Sequence, residues 1–142
     1  MPNSRKNTCL EILWIDDDAD ILEICGRSLR SYGMVVHLAK TGSLGLKMLS
    51  EKNVDVVVCD LEMSEMDGLQ VAAKVHEIFN QNVEPRPLFV VLTAWSTKFS
   101  CDDATQGYII DAVFQKPIEM KRLLEAIYSL VAERNRRTGQ PV

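Results

Sequence analysis

Five short apolar runs, separated by segments of helical periodicity, organise this chain. The runs EILWI (11–15), MVVHLA (34–39), VDVVVC (54–59), LFVVLT (88–93) and DAVFQ (111–115) read as β-strands. The third and fourth are almost unbroken Val, Leu and Phe, as expected of strands covered on both faces. Between the strands, helices are predicted from Asp18 to a stop at Gly33, and over 42–52, 68–80 and 118–134. In the last of these, Met120, Leu123, Leu124, Ile127, Leu130 and Val131 make one apolar stripe. Pro117 and Glu119 suit its first turn. The segment TKFSCDDATQG (97–107) has poor helix formers and no stripe, so it predicts at most a short helix.

This alternation implies an α/β fold: a parallel sheet joined by right-handed crossovers, with about five helices on its two faces. In such sheets ligand chemistry gathers beyond the carboxyl ends of the strands. Trp14 falls inside the first strand and is expected in the core. Trp95 stands beyond the end of the fourth, and His37 and His76 lie away from every strand's carboxyl end.

A length of 142 residues suits one domain. It is expected over 10–132, with an N-terminal extension, 1–9, and a basic C-terminal tail, 133–142. No apolar run approaches the ~18 residues of a membrane span, and no signal-like segment opens the chain, so a cytoplasmic protein without a membrane partner is expected. Cys9, Cys25, Cys59 and Cys101 are dispersed and read as free thiols. Residues 10–131 hold 11 Lys/Arg against 19 Asp/Glu, a net −8. Nucleic-acid binding rests on neutralising phosphates, so no nucleic-acid partner is expected of this region.

The polar residues at the strand ends form a set. The first strand delivers Asp16 and Asp17, the third Asp60, the fourth Thr93, and the fifth Lys116 before Pro117. Converging carboxylates raise one another's pKa unless a cation intervenes. Mg²⁺ suits such a group, since it takes one or two carboxylates with carbonyls, waters and phosphate oxygens. A carboxylate beside a cation, a hydroxyl and an ammonium is equipped to accept a phosphoryl group.

The motifs ILWIDDD, VVVCDLEMSEMDGL, VVLTAW and FQKPI resemble, in order and spacing, the four signatures of response-regulator receiver domains of two-component signalling. The resemblance spans roughly residues 10–131. It implies a flavodoxin-like, doubly wound sheet of order 2-1-3-4-5 and a phosphorylation-dependent switch. Asp60 would accept phosphate from a sensor histidine kinase or phosphotransfer protein, and the phosphorylated form would modulate a downstream protein. Asp17 and Asp60 would bind Mg²⁺ (or Mn²⁺) directly, Asp16 through water, and Glu62 by its backbone carbonyl. Thr93 would hold a phosphoryl oxygen, and Lys116 would pair with the acceptor or its phosphate. Asp18 is expected to cap the first helix.

The chain departs from the family pattern at three places. Ser64 stands where a proline is usual, Val113 where a swinging aromatic is common, and Gly107 lies about two residues early. Two other readings use the same residues. Asp16 and Asp18 have the D-x-D spacing of haloacid-dehalogenase-type phosphatases, but Asp20 stands where Thr or Val belongs. A degenerate receiver that works without phosphorylation is the second, and the intact acceptor set argues against it. A calcium-loop reading of DDDAD fails, because Ile21 occupies the glycine position and Arg27 that of the bidentate Glu.

Overall fold

The computed structural model describes residues 9–80, 86–94 and 110–138. The order is β1 (Glu11–Ile15), α1 (Ala19–Ser31), β2 (Val35–Ala39), α2 (Gly42–Glu51), β3 (Val56–Asp60), α3 (Gly68–Asn80), β4 (Leu88–Thr93), β5 (Ala112–Gln115) and α4 (Met120–Thr138). All strand pairs are parallel, in the order β2-β1-β3-β4-β5. The flavodoxin-like topology is therefore present, with four helices among the described residues. The fifth predicted helix, 97–107, lies outside them, as do Trp95, Cys101, Gly107 and Tyr108.

Alternation along the strands builds two cores. Ile12, Trp14, Val56, Val58, Val90 and Leu92 face α1 and α4, where Leu22, Leu29, Leu123 and Ile127 are buried. Leu13, Ile15, Val57, Cys59, Phe89 and Val91 face α2 and α3, where Leu49, Val71 and Val75 cover them. The side chains of β3 and β4 are buried throughout, which explains their unbroken apolar composition. Trp14 is in the core as expected, and its indole N–H has no hydrogen-bond partner among the described residues.

Element boundaries differ from the periodicity in instructive places. The first helix stops at Ser31, and Gly33 takes φ +87° behind it. Gly33 N–H donates to Arg30 O and Met34 N–H to Leu29 O, a Schellman cap. Met34 is thereby spent on the cap, so the second strand begins at Val35. The last helix runs past the predicted 134 to Thr138. Arg134, just before this extra turn, donates to Arg86 O at 2.6 Å and ties the helix to the body of the domain.

Candidate functional site

Parallel pairing carries the strand-end residues to one rim. Asp60 lies level with Leu92, and Thr93 with Gln115. Leu61 N–H donates to Leu92 O, and Lys116 N–H to Thr93 O, both at 2.8 Å. These bonds align the ends of β3, β4 and β5. On the other side of β3, Asp16 N–H donates to Ala39 O at 3.0 Å, so the chain leaves β1 over the same rim.

Asp16, Asp17 and Asp60 each present a carboxylate oxygen within 4.8 Å of the others. Asp16 and Asp60 are buried, and Asp17 is exposed. Lys116 Nζ donates to Asp60 Oδ1 at 3.0 Å, as does Glu62 N–H at 3.3 Å. Asp16 Oδ1 accepts from Asp18 N–H at 3.0 Å. Asp17 Oδ2 accepts from Ser64 N–H at 3.2 Å. The Lys116–Pro117 peptide is cis.

The electrostatics follow from burial. Desolvation lifts the Asp16 carboxyl to about 6; the Asp18 N–H opposes this and the Asp60 charge adds to it. Desolvation also raises Asp60 above the ordinary carboxylate value, while its hydrogen bond to Lys116 pulls the other way. Burial lowers the Lys116 ammonium, but its bond to Asp60 and the charges of Asp60, Asp16 and Glu62 outweigh that and leave it raised. Three carboxylates so close together carry more negative charge than Lys116 alone offsets. Oxygen donors of this type and number fit a small hard divalent cation. A cation there would relieve the burden that burial places on Asp16 and Asp60.

Gly68 explains how the loop after β3 closes. A Cβ at Gly68 would lie 2.9 Å from Asp60 O and 3.0 Å from Leu61 Cα. Only glycine lets the first turn of α3 approach the end of β3 this closely, and Gly68 N–H donates to Leu61 O at 3.0 Å.

Asp18 behaves as a cap. Its Oδ1 accepts from Asp20 N–H at 2.9 Å and Ile21 N–H at 3.3 Å. With that oxygen committed to α1, Asp18 is not a member of the acidic group, and the D-x-D pairing of Asp16 with Asp18 does not form. Val113 packs on the α2/α3 side of the sheet and Phe114 on the α1/α4 side, so the neighbouring aromatic cannot stand in for it.

One arrangement was not visible in the motifs. The Glu62 side chain, assigned no role beyond its backbone carbonyl, reaches β4. Its Oε2 accepts from Thr93 Oγ1–H at 2.5 Å and its Oε1 from Ala94 N–H at 3.2 Å. The motif shows a Glu two residues after Asp60, but not which way it turns.

Residues 12–128 match the response regulator receiver domain family. The chain belongs to that family. The receiver is 35% identical over 116 residues to the transcriptional regulatory protein GlrR of Escherichia coli K12, covering 82% of this chain and 25% of that protein. It is 31% identical over 130 residues to the transcriptional regulatory protein ZraR of Salmonella typhimurium, covering 92% of this chain and 28% of that protein. The receiver thus spans about a quarter of the length of these relatives. Among solved structures it resembles the response regulator TrrA of Thermotoga maritima in complex with Mg²⁺-BeF. That match has a TM-score of 0.72 and 26% identity, over 85% of this chain and 98% of that one. A CheY-like receiver domain protein of Methanospirillum hungatei shares the fold, with a TM-score of 0.78 and 22% identity over 91% of this chain and 98% of that one.

Membership makes the chain a signalling module of two-component systems and removes the phosphatase reading. The expectation of no nucleic-acid partner finds no support in relatives that are named transcriptional regulators. The acidic balance that prompted it describes this receiver alone and not proteins four times as long. Among the described residues, no helix is long and apolar enough to cross a membrane.

Proposed function

We propose that this receiver is a phosphorylation-controlled switch in which Asp60 accepts a phosphoryl group from the phosphohistidine of a sensor kinase or phosphotransfer protein in the cytoplasm. The observation that carries the reading is the meeting of Asp16, Asp17 and Asp60 within 4.8 Å, with Lys116 Nζ 3.0 Å from Asp60. In the transfer, an Asp60 carboxylate oxygen attacks phosphorus as the phosphorus–nitrogen bond breaks. The electron pair returns to the imidazole, which takes a proton, and an aspartyl phosphate remains.

Asp17 and Asp60, Asp16 through water, and the Glu62 carbonyl would hold Mg²⁺ or Mn²⁺. When bound, such an ion supplies positive charge to the phosphoryl oxygens. Lys116 holds the acceptor carboxylate in place and offers its ammonium to the new phosphate. Thr93, at the neighbouring strand end, donates its hydroxyl to a phosphoryl oxygen. The phosphate adds about −1.5 to −2 charges, and these donors reorder around it to change what the receiver binds. Water attack on the aspartyl phosphate resets the switch.

The names of the relatives favour one output: control of transcription through a regulator of which a receiver is one part. The test of the core reading is labelling by acetyl phosphate with Mg²⁺. The wild type should carry one phosphate on Asp60, and Asp60→Asn none. No labelling of the wild type would establish the degenerate alternative, a module that works without phosphate.

A further inference from the structure

Glu62 occupies the Thr93 hydroxyl, the donor that the proposed switch assigns to a phosphoryl oxygen. Its two carboxylate oxygens take separate donors: Oε2 the Thr93 hydroxyl, and Oε1 the Ala94 N–H. A bidentate carboxylate on a hydroxyl and an amide is a fair imitation of two oxygens of a phosphoryl group. Both are anionic acceptors, and both bind the end of β4 through charge-assisted hydrogen bonds. The backbone N–H of Glu62 meanwhile donates to Asp60 Oδ1 at 3.3 Å, so the same residue touches the acceptor and the β4 donors.

We propose that the Glu62 carboxylate is an internal occupant of the phosphoryl-binding donors, and that its displacement by the phosphoryl group is the first movement of the switch. This rests on the reading of Asp60 as acceptor and Thr93 as phosphoryl donor. Thr93 has one hydroxyl proton to give, so it serves either Glu62 or a phosphoryl oxygen. Two anions cannot share that site without repulsion, and the acidic rim adds to it. Phosphorylation therefore expels Glu62. Its expulsion frees residues 62–67 of the β3–α3 connection from the end of β4, while Leu61 stays bonded to Leu92 O. That provides a route for the signal in a receiver whose swinging-aromatic position is Val113. In the resting state the latch ties those residues to β4 and holds the receiver inactive.

The test compares the wild type with Glu62→Ala and Glu62→Gln, using beryllofluoride with Mg²⁺ as phosphoryl mimic and amide NMR as readout. Without any anion, the Ala94 N–H resonance should move in Glu62→Ala, and its exchange with solvent should quicken. With beryllofluoride, wild type and variant should converge at Ala94. Removing the occupant should tighten beryllofluoride binding about tenfold, a gain of about 1.4 kcal/mol. Glu62→Gln keeps one carbonyl acceptor without the charge, so it should fall between the two.

Equal or weaker binding by Glu62→Ala, with normal binding by the wild type, overturns the latch and leaves the acceptor reading standing. Equal tightening in the Gln and Ala variants reduces the effect to charge and also overturns it. A wild type that does not bind beryllofluoride overturns the acceptor reading and with it the displacement. The resting Ala94 resonance, read without anion, then still reports whether the Glu62 contact exists.

Discussion

Lys116 Nζ meets Asp60 Oδ1 at 3.0 Å, although 56 residues separate them in sequence. Neither is freely solvated: Asp60 is buried and Lys116 half-buried. Burial opposes ionisation of each, and the contact favours the charged form of both. Lys116→Ala should therefore still label slowly with acetyl phosphate, because Asp60 remains. Its response should fail, because the side-chain ammonium that would gather the new phosphate from the β5 side is gone. Amide shifts at residues 93–94 on adding beryllofluoride and Mg²⁺ measure this. A variant whose shifts match the wild type contradicts the role.

The metal-free protein should show its unbalanced carboxylates as a pH dependence. Asp16 is lifted from 3.8 to about 6 in the folded state. Folding thus favours its protonated form. That stabilisation is complete below the unfolded value and is lost as pH rises through the folded one. The loss at neutral pH is about 2–3 kcal/mol. Asp16→Asn cannot ionise, so its stability should gain on the wild type by that amount between about pH 4 and pH 7. Denaturant unfolding with a chelator present measures both proteins. Parallel profiles would show that Asp16 does not carry the charge burden. Excess Mg²⁺ should narrow the gap at neutral pH, since a ligand that binds the folded state stabilises it.

Gly68→Ala should injure stability and chemistry together. Its Cβ would stand 2.9 Å from Asp60 O and 3.0 Å from Leu61 Cα, both backbone atoms with little room to give. Overpacking of this sort costs about 1–3 kcal/mol. Alanine's better helix propensity returns up to about 1 kcal/mol. A net destabilisation of about 1–2 kcal/mol is expected, with slower labelling as the Asp60 backbone shifts. Unfolding midpoints and acetyl phosphate kinetics check the two parts. Unchanged stability would mean that α3 retreats from β3 at no cost.

The strands were legible because burial on both faces forces uninterrupted apolar runs, as Val56–Cys59 and Leu88–Leu92 show. The site was legible for a related reason: each polar residue follows a run directly, and parallel pairing carries run ends to one rim. Asp18 was readable as a cap because capping is local. Glu62 was not readable, because its partners lie on β4 more than 30 residues away. Nothing within the DLEM motif distinguishes a side chain turned to solvent from one turned to Thr93. The tie between α4 and the chain entering β4 is illegible for the same reason, as Arg134 reads as one of several solvated basic residues until it is seen bonded to Arg86 O.

Ser64 lends the site a donor that a proline could not. Its backbone N–H reaches Asp17 Oδ2 at 3.2 Å, and proline, usual at this position in receivers, has no N–H. Asp17 is exposed and would otherwise sample several rotamers, so the bond orders it before any metal arrives. Ser64→Pro removes the bond and returns that freedom, at a cost of about 0.5–1 kcal/mol when the carboxylate is ordered again. Mg²⁺ half-saturation should then rise about two- to fivefold. Ser64→Ala keeps the N–H and should bind Mg²⁺ like the wild type, which separates the backbone donor from the hydroxyl. Calorimetric titration with Mg²⁺ decides the matter. If Ser64→Pro binds as tightly as Ser64→Ala, Asp17 is ordered by something other than this bond.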